Sequence, residues 1–153
     1  MAHYAFIKDG IVTEVITGVD ENATENLPGD YSSWEEFYLA QRPGQDACKR
    51  TSYNTYHNEH LLGGTPFRGN YAGIGFSYDE ANDIFVHPKF YNSWVFDVAT
   101  ASWKPPVDKP ADANDDHDTS LPRKQYDWNE DTVSWDFIKE WNYNTETSTW
   151  EEV

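Results

Sequence analysis

The residues best suited to bind a cation lie in the proline-bounded stretch 105–122. Four oxygen-bearing side chains occupy alternate positions there, as ligands do in a calcium-binding loop. They are Asp112, Asn114, Asp116 and Asp118. Such a loop also needs a glycine for its tight turn and a bidentate glutamate, and His117 and Arg123 stand at those positions. A solvated linker is therefore favoured over a calcium loop, and we assign no metal site.

Other candidates for chemistry lack the partners that catalysis requires. His57 and His60 are three residues apart, but their surroundings are rich in Asn and Gly and offer no third metal ligand. Glu35 and Glu36 are adjacent, so they face different directions and make a poor acid/base pair. The glycines do not follow the spacing of a phosphate-binding loop. We therefore expect no enzymatic activity, no catalytic residue and no cofactor.

Charge and composition exclude further classes of function. Lys and Arg number 11 and Asp and Glu number 27, which gives a formal charge of -16. Such a surface repels phosphate backbones and anionic membranes, so we expect no nucleic-acid or membrane partner. The sequence begins without a basic or apolar leader, and we predict no signal peptide or membrane span. The one cysteine, Cys48, cannot form an internal disulfide and is interpreted as a small buried hydrophobe.

Aromatic residues make up 16% of the chain, and many of them belong to a pattern that occurs four times. The pattern is aromatic, any residue, aromatic, Asp or Asn, two residues, Thr or Asn, two residues, Trp or Phe. The copies begin at Phe76, Trp94, Tyr126 and Trp141, and they end at Phe85, Trp103, Trp135 and Trp150. Alternation along strands and a turn-forming Asp or Asn predict a β-hairpin for each copy.

The spacing of each copy also predicts a register. A loop of four residues that starts at the Asp or Asn places the first aromatic of a copy opposite the last one. The expected pairs are Phe76 with Phe85, Trp94 with Trp103, Tyr126 with Trp135, and Trp141 with Trp150. All the aromatics of a hairpin would then share one face of the sheet.

The remaining elements are predicted from turn and capping signals. Asp9-Gly10 between two apolar runs predicts a hairpin with a type I′ turn. Ser33 and Glu36 form a capping box before a short helix over 34–41, and residues 45–56 read as a strand. The Gly-rich stretch 57–75 is predicted to be an ordered loop. Its large side chains should anchor it, and Arg68 should find an acidic partner.

These elements define the expected fold. It is mainly β, an antiparallel hairpin-rich domain with one short helix, followed by a C-terminal pair of aromatic hairpins. The expected boundaries are a main domain over 1–104, a Pro- and Asp-rich linker over 105–122 with few packing contacts, and the hairpin unit over 123–153. Two thin hairpins leave aromatic surface open, which predicts a partner-binding face. Its residues are Tyr126, Trp128, Trp135, Trp141, Tyr143 and Trp150.

Several segments resemble a group of small proteins encoded by tailed phages of marine bacteria, notably cyanobacteria (cyanophages). They are the opening residues 1–5 and 12–16, the run 48–55, the Gly-rich run 63–75, and the Trp94 hairpin. The group resembled has one Trp hairpin after the linker, whereas this chain has two. The second hairpin looks like a duplication.

The resemblance implies a structural protein of the virion, made in the host bacterial cytoplasm. We expect a capsid decoration protein or a tail- or fibre-associated component that acts by protein–protein interaction. Its partners would be major capsid or tail proteins, or copies of itself. The alternative is a carbohydrate-binding module for adsorption to the host surface, because exposed Trp and Tyr rings stack on sugars.

Overall fold

The computed structural model of the protein describes all residues, Met1–Val153, and is mainly β. Strands hold 38% of the residues and helices 8%, which confirms the predicted fold class. The chain divides into two compact units. Unit 1 contains Met1–Lys89 and Phe96–Lys104, and unit 2 contains Phe90–Val95 and Pro105–Val153. No helix of the chain has the length and apolar character that a membrane span requires.

All pairs of neighbouring strands for which a register is defined are antiparallel. The strands are β1 Ala2–Lys8, β2 Ile11–Gly18, β3 Ala47–Thr51, β4 Thr55–Tyr56, β5 Glu59–His60, β6 Ser77–Asp79, β7 Ile84–Val86, β8 Val95–Asp97, β9 Ser102–Lys104, β10 Arg123–Asn129, β11 Ser134–Asn144 and β12 Thr149–Glu152. The α-helix, α1, spans Trp34–Ala40, and single 3₁₀ turns span Thr24–Asn26 and Ala111–Ala113.

The main sheet of unit 1 has the strand order β3-β1-β2-β6-β7. Its first hairpin turns at Asp9 and Gly10, whose φ angles are 50° and 76°. Positive φ at both positions defines the predicted type I′ turn, and Gly adopts it without steric cost. The strand predicted over 45–56 forms in two pieces, β3 and β4, separated by a turn in which the Thr55 N–H donates to the Ser52 carbonyl at 3.0 Å.

Helix α1 covers one face of this sheet. The Ser33 hydroxyl caps it by accepting from the Glu36 N–H at 3.2 Å. The Glu36 carboxylate reaches back to the N–H of Ser32 at 2.8 Å, one residue earlier than the capping box predicts. Trp34 on α1 packs with Tyr4, Phe6 and Cys48 from the sheet. Burial raises the pKa of the Cys48 thiol to about 12, so it packs as the expected small hydrophobe.

On the opposite face, side chains of the sheet, including Phe85 of β7, form a second core with Ala72 of the Gly-rich segment. Ala5, Ile7 and Val12 pack there against Ala72 and Phe85. Each of these five residues is at most 3% exposed. The two faces of one sheet thus carry two small cores, and the central strand β1 contributes to both.

Arg68 anchors the Gly-rich segment to its surroundings, as predicted. Its guanidinium Nη1 lies 2.6 Å from a Glu35 carboxylate oxygen on α1, and its Nε lies 2.8 Å from Asp83. The Arg50 guanidinium lies 3.7 Å from the centroid of the neighbouring Phe67 ring. These contacts keep the predicted loop ordered although it contains several glycines.

Asn70, two residues after Arg68, is fully buried. Its side-chain amide donates to the carbonyls of Phe85 at 2.8 Å and Ala101 at 2.9 Å. Its side-chain oxygen accepts from the His57 N–H at 2.8 Å. Gly69 precedes it with φ 72°, and a Cβ there would lie 2.9 Å from the Ala101 side chain, so glycine is required.

The hairpin register predicted for the aromatic repeats is wrong by one loop position. Each loop has the predicted four residues, but the loops are 80–83, 98–101, 130–133 and 145–148. The second aromatic of a copy, not the first, therefore lies against the last one. The observed pairs are Tyr78 with Phe85, Phe96 with Trp103, Trp128 with Trp135, and Tyr143 with Trp150. The aromatics of a hairpin still share one face of the sheet, because the shift moves both ends of the loop by one residue.

The Asp or Asn ends the first strand of each hairpin and organises the loop from there. Asn129 accepts from the N–H groups of Asp131 at 3.0 Å and Thr132 at 3.2 Å. The Thr132 hydroxyl then meets the hydroxyl of Ser134 at 2.8 Å, and equivalent pairs occur in two further copies. The last loop residue is left-handed in every copy. These residues are Asp83, Ala101, Val133 and Ser148, with φ of 47–55°.

Residues 105–122, predicted to be a linker with few contacts, are folded into unit 2. Ala113 is only 3% exposed. The Asn114 side chain donates to the Asp118 carbonyl at 2.8 Å and the Leu121 carbonyl at 3.2 Å, and it accepts from the Asp118 N–H at 2.9 Å. The expectation of few contacts was therefore wrong, because polar side chains bond to the local backbone where apolar packing is scarce.

Replacing Val133 with Gly should stabilise unit 2. A β-branched residue with φ of 51° is strained, whereas Gly adopts that conformation freely. Val133 is 40% exposed, so little burial is lost. We expect the free energy of unfolding to rise by about 0.5–1 kcal/mol in urea titrations. Asp131→Gly, in the same loop but without positive φ, is the control and should not stabilise. A destabilised Val133→Gly variant would contradict this account of the loop.

Two tryptophans of one repeat copy should respond differently to replacement by Phe. Trp103 Nε1 donates to the His87 carbonyl at 2.7 Å, so Trp103→Phe leaves that carbonyl unpaired and should cost about 1–3 kcal/mol. Trp94 Nε1 is buried without an acceptor, so Trp94→Phe removes an unpaired donor and should cost much less. Thermal unfolding of both variants measures the difference, and equal costs would refute it.

Unit 1 should lose stability as the pH falls through the range of ordinary histidine titration. Burial lowers the pKa of His57 and of His87, whose ring centroids lie 5.5 Å apart. Below about pH 6.5 the unfolded chain binds more protons than the folded one, so stability must decline with falling pH. Melting temperatures between pH 7.5 and 5 test this. The paired variant His57→Asn with His87→Gln should have a flatter profile, and an unchanged slope would exclude these two groups.

Candidate partner-binding surface

The two C-terminal hairpins form one three-stranded sheet, with the order β10-β11-β12. Strand β11 runs over 11 residues and belongs to both hairpins, pairing with β10 along its first part and with β12 along its last. The predicted pair of hairpins is therefore present, but the two hairpins share one strand. A shared central strand gives the unit the three strands that a stable antiparallel sheet requires.

A β-bulge divides the predicted aromatic face into two. Tyr126 lies opposite Phe137, but the preceding Gln125 lies opposite Lys139, so Ile138 is an extra residue on β11. One extra residue reverses which side chains point to which face. The prediction that all six aromatic residues share a face was therefore wrong. Three lie on each side, as Tyr126, Trp128 and Trp135 on the first face and Trp141, Tyr143 and Trp150 on the second.

The first face packs against other parts of unit 2. The Trp135 indole N–H donates to the Val107 carbonyl at 2.9 Å, and the Lys109 ammonium lies 5.8 Å from the Trp135 ring centroid. Trp128 meets Trp94 edge-on at 6.0 Å. The rings of this face, with their partners in residues 90–95 and 105–122, are therefore occupied in holding the unit together.

Polar contacts reinforce the first face. The Asp112 carboxylate lies 2.7 Å from the Lys124 ammonium and accepts from the Tyr126 hydroxyl at 2.9 Å. The Lys124 hydrogen bond, followed by the Tyr126 one, lowers the pKa of Asp112 below its usual range. The same bond to Asp112 raises the pKa of Tyr126. Asp112, considered above as a cation ligand, is thus engaged with Lys124 and Tyr126.

The second face offers the aromatic surface that the sequence predicts. Tyr143 and Trp150 meet edge-on across the strands, with ring centroids 5.3 Å apart. Trp141 lies between two cations, with Arg123 at 5.3 Å and Lys139 at 5.1 Å from its ring centroid. All three aromatic residues are partly exposed. An ion pair between Lys139 and Glu152 at 3.3 Å borders them.

This face combines apolar rings with donors that are already positioned. Lys139 is already paired with Glu152, whereas Arg123 forms no ion pair. A flat surface with aromatic rings and an Arg is the composition typical of the centre of a protein interface.

The structure gives no support to a cation site elsewhere in the chain. No group of three or more His, Cys, Asp or Glu side chains is arranged to hold a metal ion. His60 instead accepts from the N–H groups of Leu62 at 3.2 Å and Gly64 at 3.0 Å through its Nδ1 atom. Of the histidine pair considered from the sequence, His60 thus bonds to the local backbone, and the centroid of the His57 ring lies 5.5 Å from that of His87.

Sequence reasoning missed the most exposed aromatic side chains, which lie outside the repeat pattern. Phe90 is 79% exposed and Tyr53 66% exposed, whereas each of the six repeat aromatics in the C-terminal sheet is only partly exposed. Tyr53 lies in a turn between two buried threonines, Thr51 and Thr55. The sequence offers no signal for this exposure, because the burial of Thr51 and Thr55 on either side of Tyr53 is known only from the fold.

Comparison with known proteins finds no family model, no curated protein and no solved structure that matches this chain.

Proposed function

We propose that this protein is a structural accessory protein of a tailed-phage virion, attached to a capsid or tail protein, or to another copy of itself. The resemblance of its sequence to marine tailed-phage proteins supports the location. The observation that carries the mode of action is the second face of the C-terminal sheet, where Trp141, Tyr143 and Trp150 remain partly exposed beside Arg123 and Lys139.

Burial of this face by a partner would be favourable for two reasons. Removing the three rings from water contributes about 25 cal/mol per Å² of apolar surface. The cations Arg123 and Lys139 lie on an otherwise strongly acidic chain, so they favour acidic or carbonyl-rich partner surfaces. The three repeat aromatics of the first face already have contacts within unit 2, at Asp112, Trp94 and Val107. The proposed partner site is therefore narrower than the six residues that the sequence indicates.

Trp141→Ser tests this function with the least damage to the fold. Trp141 takes no part in a ring pair across the strands, so the Tyr143–Trp150 pair stays intact. Phage particles purified from wild-type infections should carry the chain in many copies. Particles from infections with the Trp141→Ser variant should carry about tenfold fewer copies. Quantitative mass analysis of washed particles gives both numbers.

Tyr53→Ser is the matched control, because it removes an exposed ring from unit 1 and should leave the copy number unchanged. Near-ultraviolet circular dichroism of both variants verifies that they fold. Absence of the wild-type chain from washed particles would refute the virion location. Normal incorporation of Trp141→Ser would refute the role of this face.

A further inference from the structure

Three aromatic residues form a second exposed surface, in unit 1. The rings of His3 and Tyr53 are nearly parallel, with centroids 5.8 Å apart and an interplanar angle of 27°. Tyr71 meets both rings edge-on, at 5.4 Å from His3 and 5.3 Å from Tyr53. This ring cluster lies at one end of the main sheet. His3, near the start of β1, pairs there with Thr51, the last residue of β3.

The cluster holds Tyr53 in place while leaving it open to solvent. Tyr53 is 66% exposed although its ring contacts two others. The backbone on either side is fixed, because Thr51 and Thr55 are at most 2% exposed and the Tyr71 N–H donates to the Thr55 carbonyl at 2.7 Å. An exposed ring that is already immobilised loses little conformational entropy when a ligand covers it.

We propose that His3, Tyr53 and Tyr71 form a platform for a neutral sugar ring, with Tyr53 as the stacking residue. The C–H groups on one face of a pyranose carry partial positive charge and fit the negative face of an aromatic ring. Sugar hydroxyls at the edge would meet polar neighbours, of which Ser52 and Asn54 flank Tyr53 and are themselves partly exposed.

The geometry and the charge distinguish this ligand class from two others. Ring centroids 5.3–5.8 Å apart mean that the rings pack on one another, which leaves no room between them for the ammonium group that an aromatic cage would hold. A formal charge of -16 disfavours sulfated or otherwise anionic glycans. A neutral hexose or its oligomers, lying on the open surface of Tyr53, is the class that remains.

The site is independent of the attachment face, because it belongs to unit 1 and Trp141 belongs to unit 2. The platform would let an accessory protein of the virion hold a surface glycan while the C-terminal sheet stays attached. Sugar binding at Tyr53 does not depend on attachment to a virion, since the stacking chemistry of the ring is the same in either case.

Saturation-transfer NMR and affinity electrophoresis of the full chain test the platform. The probes are cellohexaose, laminarihexaose, mannohexaose and chitohexaose, with dextran sulfate as the anionic comparison. We expect at least one neutral oligosaccharide to bind, and Tyr53→Ala to weaken that binding about tenfold. Tyr53→Phe keeps the ring and should retain most of the affinity. Phe90→Ala, at a more exposed ring, should change nothing.

Three results would overturn the proposal. They are no binding of any neutral probe by the wild-type chain, equal binding by Tyr53→Ala, and loss of binding in Trp141→Ser in place of Tyr53→Ala. The same two variants separate this inference from the proposed function. Tyr53→Ala should lose the sugar and still join particles, whereas Trp141→Ser should keep the sugar and be depleted from particles.

Discussion

The buried side-chain amide of Asn70 is the interaction on which unit 1 depends. It joins the carbonyls of Phe85 and Ala101 and the N–H of His57, which belong to three separate segments. Most strands around it have only two to five residues, too few to stand as independent hairpins. A buried amide with all of these partners satisfied fixes their arrangement, because any displacement would leave polar groups unpaired. Arg68 extends the same constraint to α1 through Glu35.

Aromatic rings supply much of the large apolar surface of this chain, and basic residues lie over several of them. Eight of the 11 Lys and Arg side chains lie over an aromatic ring. A cation near the face of a ring is attracted by the quadrupole of the ring, which contributes about 0.5–1 kcal/mol at an exposed site. The apolar stems of Lys and Arg shield ring surface while their charges stay near water. This explains how a chain with few aliphatic residues and a large negative charge keeps its hairpins folded.

The sequence predicts the parts of this fold that local chemistry determines. Asp9-Gly10, the Ser33 cap, the four-residue loops and an acidic partner for Arg68 are all present. Loop placement was not predictable from parity, because moving a loop by one residue keeps every aromatic of a hairpin on its face. Packing of 105–122 was hidden by its polar composition, since its order comes from side chain–backbone bonds such as those of Asn114. The exposed ring cluster around Tyr53 joins residues far apart in the chain, which no local pattern reveals.

The bulge at Ile138 decides on which face of the C-terminal sheet each aromatic ring lies, and its sequence signal is weak, because neither Gly nor Pro marks it. Strict alternation would place all six repeat aromatics on one side of the C-terminal sheet. Unit 2 would then have to cover six rings with residues 90–95 and 105–122, or leave that whole face open to water. With the bulge, Tyr126, Trp128 and Trp135 meet those segments, while Trp141, Tyr143 and Trp150 lie on the other side. One inserted residue thus divides the repeat aromatics between the two faces of the sheet. The three on the first face contact residues 90–95 and 105–122, whereas Tyr143 and Trp150 pair with each other on the second.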